Sequence, residues 1–158
     1  MKDNFILIEE KDFQKARNAI KSVQGKKIIF SGASDEINRK ILEKESIDIL
    51  LINQKNRKDS LKQRNSGFNH VLANIAKKKN IAIGINFDEI VLSSGKEKSK
   101  ILGRIKQNIN LCKKKKLKMH FISKGDYKKD IYDIKSLGLV LGMPTWMTKG
   151  IEFINSKK

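Results

Sequence analysis

A chain of 158 residues is long enough to bury one core, and we predict a single domain over residues 1–158. Hydrophobic residues make up 39% of the chain and aromatic residues only 6%, so the core must rest mainly on Ile, Leu and Val. The formal net charge of +18 is extreme for this length. It indicates a polyanionic partner, because a basic surface gains affinity by releasing the counterions condensed on phosphates.

Membrane and secretory proteins are disfavoured by the same composition. Nowhere does the sequence hold the ~18 consecutive apolar residues that a membrane-spanning helix needs. The apolar run near the N-terminus, Phe5 to Ile8, is too short for a signal peptide. The single cysteine, Cys112, has no partner for an intrachain disulfide, which is typical of a reducing compartment. We therefore expect a cytoplasmic protein with no membrane association.

Short apolar runs along the chain predict buried strands. They are near-continuous rather than alternating, as expected when both faces of a sheet are covered. The five predicted strands are Phe5–Ile8, Ile28–Phe30, Ile47–Ile52, Ile81–Phe87 and Met119–Ser123.

Helical spacing of apolar residues separates these strands. Ser34 is a candidate N-cap, a long helix is predicted from about Glu97 to Lys116, and Pro144 fits the first turn of a last helix. Strands that alternate with helices favour parallel strands joined by right-handed crossovers. The predicted apolar stripes, in chain order, are Phe13, Ala16, Ile20, Val23; Ile37, Ile41, Leu42; Phe68, Val71, Leu72, Ile75, Ala76; Ile101, Ile105, Ile109, Cys112; and Met147, Ile151, Ile154.

The positive charge is concentrated in the middle of the chain. Residues 55–129 hold 21 Lys and Arg against 5 Asp and Glu, a net charge of +16, whereas residues 1–54 and 130–158 each carry +1. A compositional bias towards lysine would load every segment similarly. The uneven distribution therefore favours a functional basic patch over a merely solvated surface.

Residue types suited to hydrolysis are scarce. The only histidines, His70 and His120, are far apart in sequence and have no carboxylate cluster beside them, so a metal centre is not expected. Cys112 lies on an apolar helix stripe, which favours core packing over a nucleophile paired with His120. The turn at Ser31 to Ser34 is at best a weak anion site.

Four segments together resemble the archaeal RNase P protein component 3 family, whose eukaryotic relatives are the thirty-kilodalton subunits of RNase P and RNase MRP. The order and spacing of the segments carry the resemblance, since no single motif is decisive. They are Asn56-Arg57-Lys58-Asp59 after an apolar strand; Phe68-Asn69-His70-Val71-Leu72-Ala73 followed by Lys77-Lys78-Lys79-Asn80-Ile81; Leu111-Cys112-Lys113 leading to Phe121-Ile122-Ser123; and Ile134-Lys135-Ser136-Leu137-Gly138-Leu139-Val140-Leu141-Gly142.

The resemblance implies an α/β fold, a TIM-barrel-like parallel βα repeat. Phe5 to Ile8 is similar to a later strand of the family, so we expect a shortened or incompletely closed barrel. It also implies a subunit of ribonuclease P that supports removal of the 5′ leader from precursor tRNA. Catalysis would then lie with the RNase P RNA and its Mg²⁺ ions, with no cofactor bound by this chain. The implied partners are that RNA, RNase P protein component 2, the other protein subunits and, through the holoenzyme, precursor tRNA.

The candidate RNA contacts are basic residues of the central segment, together with Arg39, which like Lys79 matches a position where the resembled family tends to carry a basic residue. A flexible loop is a common place for recognition residues, and Arg can grip a phosphate with two parallel hydrogen bonds. For His70 two interpretations remain open, a bystander beside a capping Asn69 or a contact to RNA or a partner subunit. Few aromatic residues lie in this segment, which favours phosphate and shape recognition over base stacking. The predicted set is Arg39, Arg57, Lys58, Arg64, His70, Lys79, Arg104, Lys113, Lys114, Lys115 and Lys116.

Two other classes of function compete with an RNase P subunit, namely a barrel-fold metal-dependent phosphoesterase and a generic basic RNA-binding protein. The first is testable directly. We predict that the purified chain hydrolyses no phosphate ester with added divalent metal, because its two histidines are isolated. Robust turnover by the pure protein that is lost on His70→Ala would contradict this.

Overall fold

Six parallel strands form one sheet whose spatial order, β1 to β6, is the order of the chain. The computed structural model describes residues 4–23 and 25–156, so residues 1–3 of the N-terminal segment lie outside it. The strands are β1 Phe5–Glu10, β2 Lys27–Gly32, β3 Ile49–Ile52, β4 Ala82–Asn86, β5 Met119–Ser123 and β6 Phe153–Asn155. The helices are α1 Phe13–Ser22, α2 Asp35–Lys44, α3 His70–Lys79, α4 Phe87–Leu92, α5 Gly95–Lys115, α6 Ile131–Val140 and α7 Thr145–Lys149.

The sheet curls into an open half-barrel, which confirms the TIM-barrel-like expectation and its incomplete closure. Within the described part of the chain, β1 and β6 each pair on one side only. Outward-facing strand residues such as Phe30 and Leu50 join the large core beneath the helices. Their neighbours Ile29 and Leu51 point to the concave side, where they form a second apolar cluster with Ile122. Both faces of the strands are therefore buried, which explains the near-continuous apolar runs.

Helix starts follow the local signals in the sequence. Ser34 Oγ accepts a hydrogen bond from the Ile37 N–H at 3.3 Å, and Asn69 Oδ1 accepts one from the Leu72 N–H at 3.0 Å. Each cap satisfies an N–H that has no partner within the helix. The predicted stripe from Phe68 differs in two respects. Phe68 precedes the helix although it is buried, and Val71 is exposed.

The predicted last helix is too long. The spacing of Met147, Ile151 and Ile154 matches one helix face, but α7 ends at Lys149 with Gly150 as its C-cap. Beyond that cap the buried side chains alternate with more exposed ones, which is the period of a strand, and Phe153–Asn155 pairs with β5. Ile154 is buried as predicted, but it belongs to a strand and not to a helix, and it packs in the concave cluster.

A buried histidine joins β5 to the segment that leads into β6. His120 Nδ1 accepts a hydrogen bond from the Glu152 N–H at 3.1 Å, and the Phe121 N–H donates to the Glu152 carbonyl at 3.0 Å. Burial, and secondarily the charges of Lys118 and Lys27, lower the pKa of His120 from 6.5 to about 4. The imidazole is therefore held neutral, as an acceptor, at neutral pH.

This histidine should make stability depend on pH. Because its pKa is lower in the folded state, its full contribution is present above pH 6.5 and is lost as pH falls towards 4. A shift of this size corresponds to about 3 kcal/mol. We expect the difference in unfolding free energy between the native protein and His120→Gln to shrink by that amount across this range. Urea titrations at a series of pH values measure it, and a constant difference would contradict the assignment.

Candidate nucleic-acid interface

A polar loop of residues 53–69 connects β3 to α3, and its first residues are fixed by a carboxylate. Glu89 accepts hydrogen bonds from the N–H groups of Gln54 at 2.7 Å and Lys55 at 3.1 Å. Burial raises the pKa of Glu89, while these two bonds favour its charged form. Asn53 bonds to Asn86 and Ser31, so the loop leaves the sheet in a defined direction.

Arg104 of α5 holds the middle of the loop from within. Its residue surface is only 3% exposed. The guanidinium donates to the carbonyl of Gln54 at 2.9 Å, to the carbonyl of Arg57 at 2.8 Å and to Asp59 Oδ1 at 3.0 Å. The hydrogen bond from Arg104, and then that from the Asn65 N–H, lower the pKa of Asp59. All three guanidinium nitrogens of Arg104 therefore donate hydrogen bonds to acceptors in the same chain.

Arg57 anchors the loop to the start of α2. Its guanidinium makes two parallel bonds to Asp35, at 2.8 and 2.9 Å, and donates to the Asn53 carbonyl at 2.6 Å. Gly67 packs against the same guanidinium with a φ of +71°. A Cβ there would lie 2.4 Å from an Arg57 nitrogen, so this position requires glycine for both space and backbone conformation.

A basic groove of about 510 Å³ lies between the loop, the start of α3 and the outer face of α5. We call it the α3–α5 groove. Four of its side chains are basic and none is acidic. The lining residues are Gln63, Arg64, Phe68, Asn69, His70, Gly103, Lys106, Gln107, Asn110, Leu111 and Lys114.

A second concavity of about 670 Å³ adjoins the groove on the other side of Arg64 and extends to α2. It contains Lys58 and Arg39 but also Asp35 and Glu36. Arg39 is bonded to Glu43 at 2.8 Å. Phosphate is thus better accommodated in the α3–α5 groove, where no carboxylate opposes it.

The structure brings some of the predicted RNA contacts together and separates others. Arg64, His70 and Lys114 line the groove, while Lys58 and Arg39 line its neighbour. Arg57 and Arg104 face the interior, where they hold the loop. The remaining predicted contacts lie in or directly after the last turns of α3 and α5, where those of α5 flank Lys114, namely Lys79, Lys113, Lys115 and Lys116. RNA contact by any member of the set stays a prediction.

Lys106, Gln107 and Asn110 were missed by sequence reasoning. They lie on the face of α5 opposite its apolar stripe, at helical spacing with Lys114. That spacing was a usable signal, because residues three and four apart share one face of a helix. What the sequence could not supply is that this face borders the start of α3.

The described residues include no group of three or more His, Cys, Asp or Glu side chains placed to hold a metal ion. Cys112 is fully buried, and burial raises the pKa of its thiol well above the usual range, which confirms its core position. None of the helices in residues 4–23 and 25–156 combines the length and the apolar character needed to cross a membrane.

The fold and the surface together define a class of parallel βα half-barrel proteins with a basic groove beside the strand ends. The sequence places the chain within that class. A model of the family described as RNase P subunit p30 matches residues 6–151, and the chain belongs to this family.

Known relatives agree with the family assignment. "Ribonuclease P protein component 3" of Methanococcus maripaludis is 31% identical over 145 residues, covering 90% of this chain and 59% of the relative. The protein of the same name from Methanocaldococcus jannaschii is 28% identical over 152 residues, covering 93% and 63%. A chain from a cryo-EM structure of archaeal Ribonuclease P with mature tRNA superposes with a TM-score of 0.75 at 27% identity, covering 92% and 62%. This chain thus spans about three-fifths of the length of each of these three relatives.

Arg104 should control the order of the loop. We predict that Arg104→Lys, which replaces a three-way donor by a single ammonium, exposes the loop to solvent exchange. The N–H of Asn65, which donates to Asp59 at 2.8 Å, should lose protection in hydrogen exchange. The matched control is Arg64→Lys, which alters an exposed arginine of the same loop. Equal protection in both variants would show that Arg104 does not organise the loop.

Proposed function

We propose that this protein is an RNA-binding subunit of an archaeal-type ribonuclease P that holds folded RNA in the α3–α5 groove and leaves cleavage to the RNA subunit. The observation that carries the proposal is the groove itself, which is lined by Arg64, His70, Lys106 and Lys114 without an opposing carboxylate. Family membership supplies the complex in which such a groove would act.

The shape of the interface supports recognition of the sugar-phosphate backbone. The nearest aromatic side chain, Phe68, is only 5% exposed and so offers no face on which a base could stack. Gln107 and Asn110 place neutral amides between the cations. Amides of this kind can bond to 2′-hydroxyl groups, which distinguish RNA from DNA. Backbone contacts position a folded RNA without reading its sequence.

The loop is bonded to the rest of the protein at several points. Arg104, Arg57 and Glu89 satisfy its backbone and charged groups inside the protein. Binding a pre-ordered surface avoids the entropy of ordering it, so more of the contact energy is expressed as affinity. Arg57 and Arg104 therefore support the proposal as positioning residues, and Arg64, Lys106 and Lys114 support it as the exposed cations of the groove.

RNA binding should be strongly dependent on salt and centred on the groove. We expect the combined variant Arg64→Gln, Lys106→Gln and Lys114→Gln, which removes the groove's Lys and Arg charges, to bind RNase P RNA more weakly. The slope of log K against log salt should fall by roughly 0.9 for each duplex phosphate that the variant no longer neutralises. Filter binding over a salt series measures both quantities.

The matched control removes three charges elsewhere, at Lys11, Lys15 and Lys149, all exposed. Equal decreases in affinity in the two variants would refute a localised patch. Reconstitution of precursor-tRNA cleavage from cognate RNA and the other subunits, with and without this chain, tests the wider assignment. A generic RNA-binding protein would leave that reaction unchanged.

Association with RNase P protein component 2 belongs to the same proposal. Within the described residues, β1 and β6 are edge strands, and edges invite pairing with another chain. Exposed Leu139, Val140 and Trp146 add apolar surface near β6 in sequence. A partner that binds only the folded form stabilises that form by about 2.7 kcal/mol when the partner concentration is one hundred times the dissociation constant.

We therefore predict that component 2 raises the thermal midpoint of this chain. Melts with and without component 2, combined with size exclusion, measure the effect. Bovine serum albumin at equal concentration controls for non-specific protection. If the thermal midpoint is unchanged and size exclusion shows no complex, component 2 does not bind this chain and the prediction is wrong.

A further inference from the structure

Lysines gather at the end of the half-barrel opposite the loop. Because all six strands are parallel, they begin at one edge of the sheet, and the outer helices end there. We call the following set the lysine rim: Lys21, Lys26, Lys44, Lys77, Lys78, Lys79, Lys113, Lys115, Lys116 and Lys118.

Hydrogen bonds join the helix ends into one surface. Lys79 Nζ donates to the carbonyls of Leu42 at 2.7 Å and Glu45 at 2.8 Å, which ties the end of α3 to the end of α2. Lys77 Nζ donates to the Lys116 carbonyl at 3.1 Å, which ties α3 to α5. The rim is therefore continuous across three helices rather than a set of isolated charges.

Two carboxylates, Glu45 and Asp48, lie beside the rim lysines of α1 and α2 and offset part of their charge. None of the ion pairs found among the described residues involves a rim lysine. Glu45 is paired with Arg17 at 2.9 Å, and Asp48 accepts a hydrogen bond from the Ile28 N–H at 2.8 Å. Lys118 also contributes to the lowered pKa of His120, after burial.

Helix dipoles account for only part of this charge. Cations in a last turn stabilise a helix C-terminus, which explains several lysines of α3 and α5. Lys26 and Lys118 lie outside any helix, directly before β2 and β5. Like charges in such number repel one another and oppose the compact state, so a bound polyanion would relieve them.

The rim extends beyond the α3–α5 groove and meets it at the last turn of α5, where Lys114 lines the groove between the rim lysines Lys113 and Lys115. The rim has its own concavity of about 450 Å³ between the ends of α1 and α2, and this concavity is lined by Lys21, Lys26 and Lys44 together with the carboxylates Glu45 and Asp48. No residue lines both this concavity and the groove. About 15 Å, the length of the ten-residue α3, separates His70 in the groove from Lys79 at the rim.

We propose that the lysine rim is a second RNA-binding surface that contacts the phosphodiester backbone of an RNA segment other than the one held in the groove. This inference rests on the proposed function and assigns a bridging role to the protein. Lysine is suited to it, because its mobile ammonium tracks a phosphate backbone as a point charge without reading bases.

Counting bound RNA tests the proposal. The probe is a short RNA hairpin, titrated at low salt and counted by native mass spectrometry. The rim variant carries Lys21→Gln, Lys78→Gln and Lys118→Gln, and the groove variant carries Arg64→Gln, Lys106→Gln and Lys114→Gln. The control replaces Lys11, Lys15 and Lys149 by Gln, all exposed and outside both surfaces. Thermal melts verify that each variant folds.

We expect two hairpins on the native chain and on the control, and one on each of the other two variants. A donor-labelled and an acceptor-labelled hairpin should show energy transfer only with the native chain and the control. If the native chain binds one hairpin and only the groove variant loses it, the rim does not bind RNA, and the proposed function of the groove stands. If the native chain binds one hairpin and both variants bind it more weakly, the groove and the rim form one continuous binding surface, and the proposal of a second surface is wrong. No binding at all would remove the proposed function as well.

Discussion

The buried guanidinium of Arg104 is the interaction on which the basic surface depends. A loop of 17 residues between β3 and α3 has no regular structure, so its carbonyl groups need partners from elsewhere. Arg104 supplies two of those partners and an ion pair from a position that is nearly inaccessible to water. Since a buried charge is tolerated only when it is paired and bonded, the loop and the arginine require each other.

Parallel topology divides the remaining charge between two ends of the molecule. Every strand runs in the same direction, so loops such as 53–69 collect where the strands end and helix C-termini collect where they begin. The basic segment 55–129 contributes to both ends, because it contains the loop as well as the last turns of α3 and α5. One concentration of charge in the sequence thereby becomes two surfaces in space.

An open barrel also needs a core on its concave side. Ile29, Leu51 and Ile122 are at most 2% exposed although they face away from the layer of helices. Branched side chains from adjacent strands fill this space, and Gly84 allows the layer to close because a Cβ there would lie 3.1 Å from Ile122 and Ile49. The barrel-like curvature is therefore maintained by packing even where the strands do not complete a circle.

Sequence alone determined the five longer strands, the helix caps at Ser34 and Asn69, the core position of Cys112 and the family, because these depend on local periodicity, cap chemistry and ordered motifs. Tertiary structure alone decided the rest. The three-residue β6 is too short for its pattern to differ from a helix face, and it exists because β5 offers it hydrogen bonds. Whether an arginine is a surface contact or an internal anchor likewise depends on what packs above it, which no local pattern encodes.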